Sequence, residues 1–269
     1  YRGYDSAGIA IGFQNEINIY KQAGKVSDLE AFAQEGNTNG SIGIGHTRWA
    51  THGVPNQINA HPHKSGDNTL ALIHNGIIEN YDSIKKALMK KEHTFESETD
   101  TEVLIHLIEE IKNHEKVSLF EAVRLALNEV VGAYAILVLD KGNNEEIIAA
   151  RKGSPLVIGL GKGEYFVASD ATPIVEYTRN VVYLEDEQIA RINKNEELEI
   201  KTISNIKKTP YIDELELSLE AIEKEGYQHF MLKEIFEQPK CILDTMRGRI
   251  SSKSGEITLG GILDYEKKI

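Results

Sequence analysis

The hydrophobic period of this chain changes at Gly132, and that change limits the fold more than any other feature. Before it, apolar residues recur at helical spacing: Val103, Leu104, Leu107, Ile108 and Ile111 form one stripe, and Ala122, Val123, Ala126, Leu127 and Val130 form another. After it, apolar residues come in short runs at 133–139, 147–151, 156–160, 165–169, 181–184, 188–192 and 198–203, separated by Gly, Asn and Asp. Connections that short join antiparallel strands and leave no room for crossover helices. Strands grouped apart from helices make the chain α+β, not a doubly wound α/β protein.

The N-terminal part adds strands over 7–13, 17–20 and 41–46 and a short helix over 25–33. Residues 69–74 form a buried strand that ends at Asn75-Gly76, a strong turn signal. A helix follows over 82–91. Thr99 with Glu102, and Ser118 with Glu121, have the spacing of capping boxes and start the next two helices. The stretch 47–63 is a long polar loop, a frequent location of function. Gly159, Gly161 and Gly163 loosely resemble a phosphate loop, but the strand after them makes a hairpin turn the better reading. A boundary falls at 205–215, around Pro210. Beyond it, 217–236 reads as helix, Pro239 interrupts the pattern, and 241–250 opens a second helix. About fifty residues past the boundary cannot enclose a large core alone.

Charge and cysteine count exclude several classes of partner. The formal net charge of -12 disfavours nucleic acid and anionic membrane surfaces. No apolar run approaches the roughly 20 residues of a membrane span. Cys241 is the single cysteine, so no internal disulfide forms, which fits a reducing, cytoplasmic setting. It lies in an apolar helical pattern and reads as packing.

Three local patterns could carry chemistry. Residues 45–53 put Arg48, Trp49, Thr51 and His52 at a strand end. A guanidinium fork matches a carboxylate, and Trp49 could act as a lid; a loop with a surface Arg and a half-buried Trp is the plainer alternative. Asn75 with the Gly76 N–H could form a two-donor oxyanion hole, or simply a turn. Asp100 at a helix start could hold an amine, or only complement the helix dipole. Together Arg48 and Asp100 suit the zwitterionic end of an amino acid. His61 and His63 have no Cys or carboxylate at ligand spacing, so no metal is expected there.

The motifs together resemble the class II, N-terminal-nucleophile glutamine amidotransferases. The resemblance rests on residues 1–8, 45–53, 74–80, 97–102 and 153–156, in that order, and covers essentially the whole chain. It implies a four-layer αββα sandwich over residues 1–214, with residues 215–269 as a linker and the first helices of a sugar-isomerase domain. It implies that Arg48 holds the α-carboxylate of glutamine and Asp100 its α-amine. Asn75 and Gly76 form the oxyanion hole, Thr51, His52 and Arg2 line the pocket, and Trp49 gates an ammonia channel. The family needs no metal or cofactor for this step. Residues 227–239 are similar to the segment entering a sugar-isomerase domain, which implies fructose 6-phosphate as the acceptor in a longer parent, expected to be a homo-oligomer. In this family the nucleophile is an N-terminal cysteine whose α-amine acts as base. It lies about two dozen residues before the position matching Tyr1, along with a core strand and a helix. The 269 residues are therefore expected to bind glutamine without hydrolysing it. A sibling amidotransferase with another acceptor and a non-catalytic glutamine-binding module are the alternatives.

Overall fold

A computed structural model describes residues 5–48, 54–215 and 227–246, without the side chains of residues 240 and 243–246. The chain divides into two compact units, Arg2–Glu216 and Leu217–Ile269 together with Tyr1.

In the first unit, β1 (Ser6–Phe13) pairs with β2 (Glu16–Ala23) and β3 (Ile42–Arg48), all antiparallel, with α1 (Val26–Gln34) between β2 and β3 in sequence. A seven-stranded sheet follows. Its strands are β4 (His63–Lys64), β5 (Leu70–Ile78), β6 (Gly132–Asp140), β7 (Asn143–Lys152), β11 (Gln188–Asn193), β12 (Glu199–Thr202) and β13 (Lys207–Lys208), and its order is β13-β12-β11-β7-β6-β5-β4. A third sheet, β14-β10-β8-β9, is made of β8 (Val157–Leu160), β9 (Tyr165–Ala168), β10 (Asn180–Tyr183) and β14 (Asp213–Glu214). Gly161–Gly163 is indeed the β8–β9 hairpin turn, with the Gly161 N–H bonded to the Glu164 carbonyl.

Side-chain alternation along β5 and β6 explains the layers. Leu70 and Leu72, with Tyr134, Ile136 and Val138, point to one side and pack on Leu104, Ile105, Ile108, Val123 and Leu127. These belong to α3 (Asp100–Glu115) and α4 (Leu119–Asn128), which with α2 (Tyr81–Met89) cover that face. Ala71, Ile73, Ala135, Leu137 and Leu139 point to the other side, against Ile44, Ile158 and Val182 of the two smaller sheets and Leu156 just before β8. Ile19 of β2 joins this second core. Its neighbour Tyr20 faces away and meets Phe32 of α1, ring centroids 6.1 Å apart. Helices, sheet, paired sheets and helix therefore stack as four layers, and the expected α+β class holds.

Two local expectations need correction. Asn75-Gly76 is not a turn: β5 runs through it to Ile78, paired with β6 from Leu70↔Asp140 to Ile78↔Gly132. Nine paired residues outweigh a two-residue turn preference, and Gly76 absorbs the distortion at φ +138°. In the second unit, α5 (Phe230–Met246) continues through Pro239, which the sequence pattern had as an interruption. The expected helical residues 217–226 lie outside the described residues.

Candidate functional site

Three chain segments converge at one end of the sheets. The C-terminal end of β3 supplies His46 and Arg48, β5 supplies His74, Asn75 and Gly76, and the first turn of α3 supplies Thr99, Asp100 and Thr101. All eight border a cavity of about 1330 Å³.

The start of α3 is fixed by hydrogen bonds read only partly from sequence. Thr99 Oγ1 accepts the Glu102 N–H at 3.3 Å, the expected N-cap bond. Glu102 does not return the bond to Thr99. Its carboxylate accepts from the Glu96 N–H (2.8 Å), the Ser97 N–H (2.7 Å) and the Ser97 hydroxyl (2.6 Å), fastening the preceding loop to the helix. Asp100, the first residue of the helix, is buried, and its Oδ2 accepts the Ile78 N–H at 2.8 Å. The carboxylate is thus tied to β5 and sits where the helix dipole favours negative charge.

Arg48 is also buried. Burial lowers its pKa, while Asp5 and Asp100 raise it, so the guanidinium and the Asp100 carboxylate feel each other across the site. The nearby histidines are held neutral. Burial brings His46 down to about 4, against a smaller upward pull from its Asn75 hydrogen bond. His61 and His63 are lowered by burial first and by neighbouring positive groups second. Burial lowers His74 too, opposed by Asp100, whose Oδ2 lies 4.0 Å from Nδ1. The Thr101 hydroxyl sits between His61 Nε2 (2.9 Å) and His74 Nδ1 (3.1 Å), and His63 Nε2 lies 3.1 Å from Thr99 Oγ1. These rings have hydroxyl partners, consistent with a structural and electrostatic role.

The segment entering the site is latched by Asn59, which is buried. Its Nδ2 donates to the Val54 carbonyl and to Glu98 Oε2, and its Oδ1 accepts the Glu98 N–H at 3.0 Å. From the other side, Gln57 donates to the Lys21 carbonyl, and Lys21 Nζ donates to the Ile58 carbonyl.

Of the residues expected from sequence, Arg48, Asn75, Gly76 and Asp100 meet at this cavity. Arg2, Trp49, Thr51 and His52 lie outside the described residues. Sequence reasoning assigned no role to His46, His61, His74 or Thr101. The available signal was crowding: five of nine histidines fall between residues 46 and 74.

The cavity is larger than the roughly 300–1,000 Å³ typical of a small-molecule pocket. It runs on from the charged end past Ser41–Arg48 and Tyr165–Ser169. Successive residues of a strand face opposite ways, so a cavity bordered by every residue of β3 and of β9 meets their edges, not one face. Both are terminal strands of their sheets among the described residues.

A family model for the glutamine amidotransferase domain matches residues 30–228, and the chain belongs to that family. Among curated proteins, glutamine–fructose-6-phosphate aminotransferase (isomerizing) of Bacteroides thetaiotaomicron is 58% identical over 270 residues, covering 100% of this chain and 44% of the relative. The Chlorobaculum tepidum protein of the same name is 52% identical, covering 98% of this chain and 44% of the relative. The chain thus spans less than half the length of these relatives. Among solved structures, glutamine phosphoribosylpyrophosphate amidotransferase from B. subtilis, complexed with ADP and GMP, superposes with TM-score 0.63 at 29% identity, over 76% of this chain and 44% of that one.

Proposed function

We propose that this chain is the glutamine-binding half of an enzyme that converts fructose 6-phosphate and glutamine to glucosamine 6-phosphate and glutamate. The relatives' names support the overall reaction. The observation that carries the site assignment is the meeting of Arg48 and Asp100, opposite in charge, at one cavity with Asn75 and Gly76. In this reading Arg48 binds the α-carboxylate and Asp100 the α-ammonium of glutamine. The side-chain amide then extends toward Asn75.

The chemistry proposed for the longer protein follows. The thiolate of an N-terminal cysteine attacks the amide carbon, and the carbonyl oxygen becomes an oxyanion held by Asn75 Nδ2 and the Gly76 N–H. The cysteine's own α-amine takes the thiol proton as the thiolate forms, and the resulting α-ammonium gives it to the leaving nitrogen, so collapse releases ammonia. Water then cleaves the thioester to glutamate. Arg2, Thr51 and His52 line the pocket and Trp49 gates ammonia transfer, on the strength of their motif. Residues 1–214 form the amidotransferase domain and 215–269 the linker and opening helices of the isomerase domain. The protein is cytoplasmic and homo-oligomeric in this reading. Among the described residues no helix is long and apolar enough to cross a membrane.

Calorimetric titration with glutamine and two truncated analogues tests the assignment without needing turnover. Arg48→Ala is expected to weaken glutamine roughly 10- to 100-fold, the range for a charge-assisted hydrogen bond, and to leave the analogue lacking the α-carboxylate unaffected. Asp100→Asn is expected to do the same for glutamine and to spare the analogue lacking the α-amine. Wild-type affinity for glutamine in both variants would overturn the reading, as would equal losses for all three ligands.

A further inference from the structure

Away from this cavity, His93, His106 and Glu109 bring three donor atoms together. His93 follows α2, while His106 and Glu109 are one turn apart on α3. His93 Nδ1 and His106 Nδ1 are 2.9 Å apart, and Glu109 Oε2 lies 3.6 Å and 3.8 Å from them. The two Nδ1 atoms point at each other, so at least one carries a lone pair.

The surroundings choose which. His93 Nε2 lies 3.1 Å from Glu110 Oε2, so it holds the proton and donates to that carboxylate. In that tautomer His93 presents a bare Nδ1 toward His106. A carboxylate on the far nitrogen of an imidazole, fixing its tautomer, is the usual support of a metal-binding histidine. Glu109 is equally prepared: Oε2 accepts the Gly66 N–H at 3.1 Å and Oε1 the Asp67 N–H at 2.7 Å, which fixes the plane of the carboxylate. Its side chain is only 7% exposed. The three donor atoms thus lie within 4.8 Å of one another, with the plane of the carboxylate and the tautomer of one imidazole already fixed by hydrogen bonds.

We infer that His93, His106 and Glu109 form a binding site for a divalent transition-metal ion, best matched to zinc, that pins α3 to the segment after α2 and to the β4–β5 connection. Two imidazole nitrogens and one carboxylate oxygen are a borderline donor set that suits zinc or cobalt over magnesium or calcium. Tetrahedral zinc with bonds of about 2.0–2.1 Å separates its ligand atoms by about 3.3–3.4 Å, so shifts of about half an ångström reach that geometry. Binding moves the His106 proton from Nδ1 to Nε2, with no net release, and water completes the shell. This group is distinct from His61 and His63, the histidines weighed as metal ligands from sequence.

The test titrates the full 269-residue chain with Co²⁺ and reads the visible bands of a tetrahedral site. One equivalent is expected. His93→Ala and Glu109→Gln should each abolish the bands, and Glu110→Ala, which removes only the orienting carboxylate, should weaken binding about 10- to 100-fold. Each variant should keep the wild-type far-ultraviolet dichroism. A measurement independent of any variant's folding is Zn²⁺ titration of the wild type followed by imidazole nitrogen NMR, in which the His93 and His106 signals should move. The inference is overturned by absence of the bands in the wild type, by bands that survive both ligand variants, or by zinc shifting His46, His61 or His63 instead.

Discussion

The His46 ring sits 2.9 Å from Asn75, Nε2 against Oδ1, joining two strands that belong to different sheets. With Nε2 protonated, the ring donates to the amide oxygen and turns the Asn75 NH₂ away from itself. Burial keeps the ring neutral. On the proposed chemistry His46 is a positioning residue for one oxyanion donor. Asn75→Ala in the longer, active protein is expected to lower kcat about 10²- to 10³-fold, the usual effect of losing such a donor. His46→Ala should lower kcat less, with little change in KM, since glutamine is held by other groups. Steady-state glutamate release checks both.

Acid should loosen this end of the molecule. The pKa of each of His46, His61, His63 and His74 is depressed in the folded chain, His46 to about 4. A histidine lowered by folding binds its proton more weakly than it does unfolded. Its contribution is therefore complete above the unfolded value near 6.5 and is lost as pH falls from there toward the folded value. Within that window each such ring removes about 1.4 kcal/mol per pH unit. Thermal melts between pH 8 and 5 should show a nearly flat Tm above about pH 7 and a steep fall below 6.5. A Tm that rises on acidification would contradict the burial assigned to these rings.

Local rules recovered what local residues decide. Thr99 and Ser118 cap their helices as their spacing implies, each accepting the N–H three residues on. The apolar run at 133–139 read as a strand and is one, β6, whose alternate residues enter the two cores. Partners distant in sequence were not readable. Glu102 bonds backward to Glu96 and Ser97, and nothing in the spacing of Thr99 and Glu102 separates that choice from a reciprocal box. His46 and Asn75 are 29 residues apart, and Asn75-Gly76 read alone is a turn. Only the pairing of β5 with β6 shows that Asn75 is presented from a strand. The charged pair at the site was legible as a pattern of types. Its meeting at one cavity depended on how β3, β5 and α3 converge.

Gly76 is where that strand presentation is most constrained. At φ +138° a Cβ would lie 2.0 Å from the Ala133 carbonyl oxygen, a main-chain atom fixed by the sheet. Gly163, at φ +76° in the β8–β9 hairpin, would place a Cβ in open space. Both substitutions to Ala incur the left-handed strain of about 1–3 kcal/mol. Only Gly76→Ala adds a backbone collision. Its Tm should fall well below that of Gly163→Ala, and a reversed order in calorimetry would contradict the geometry of β5.

The edges of β3 and β9 give the last prediction. Both border the cavity along their whole lengths, and a strand edge bordering a cavity exposes N–H and C=O groups ready to pair. The family resemblance implies a core strand and the nucleophilic cysteine upstream of the position matching Tyr1. A strand laid between β3 and β9 would pair both edges and join their sheets into one. It would also run along the cavity toward the end where Asn75 and Asp100 stand. Hydrogen exchange reads this directly. In a version of the protein extended upstream by those two dozen residues, the amides of Ile42–Arg48 and Tyr165–Ala168 should exchange more slowly than in the 269-residue chain. Those of α2, on the opposite face of the seven-stranded sheet, should change little. Equal exchange of β3 and β9 in the two versions would mean that the added segment lies elsewhere, and the proposed thiol would then have no path to the site.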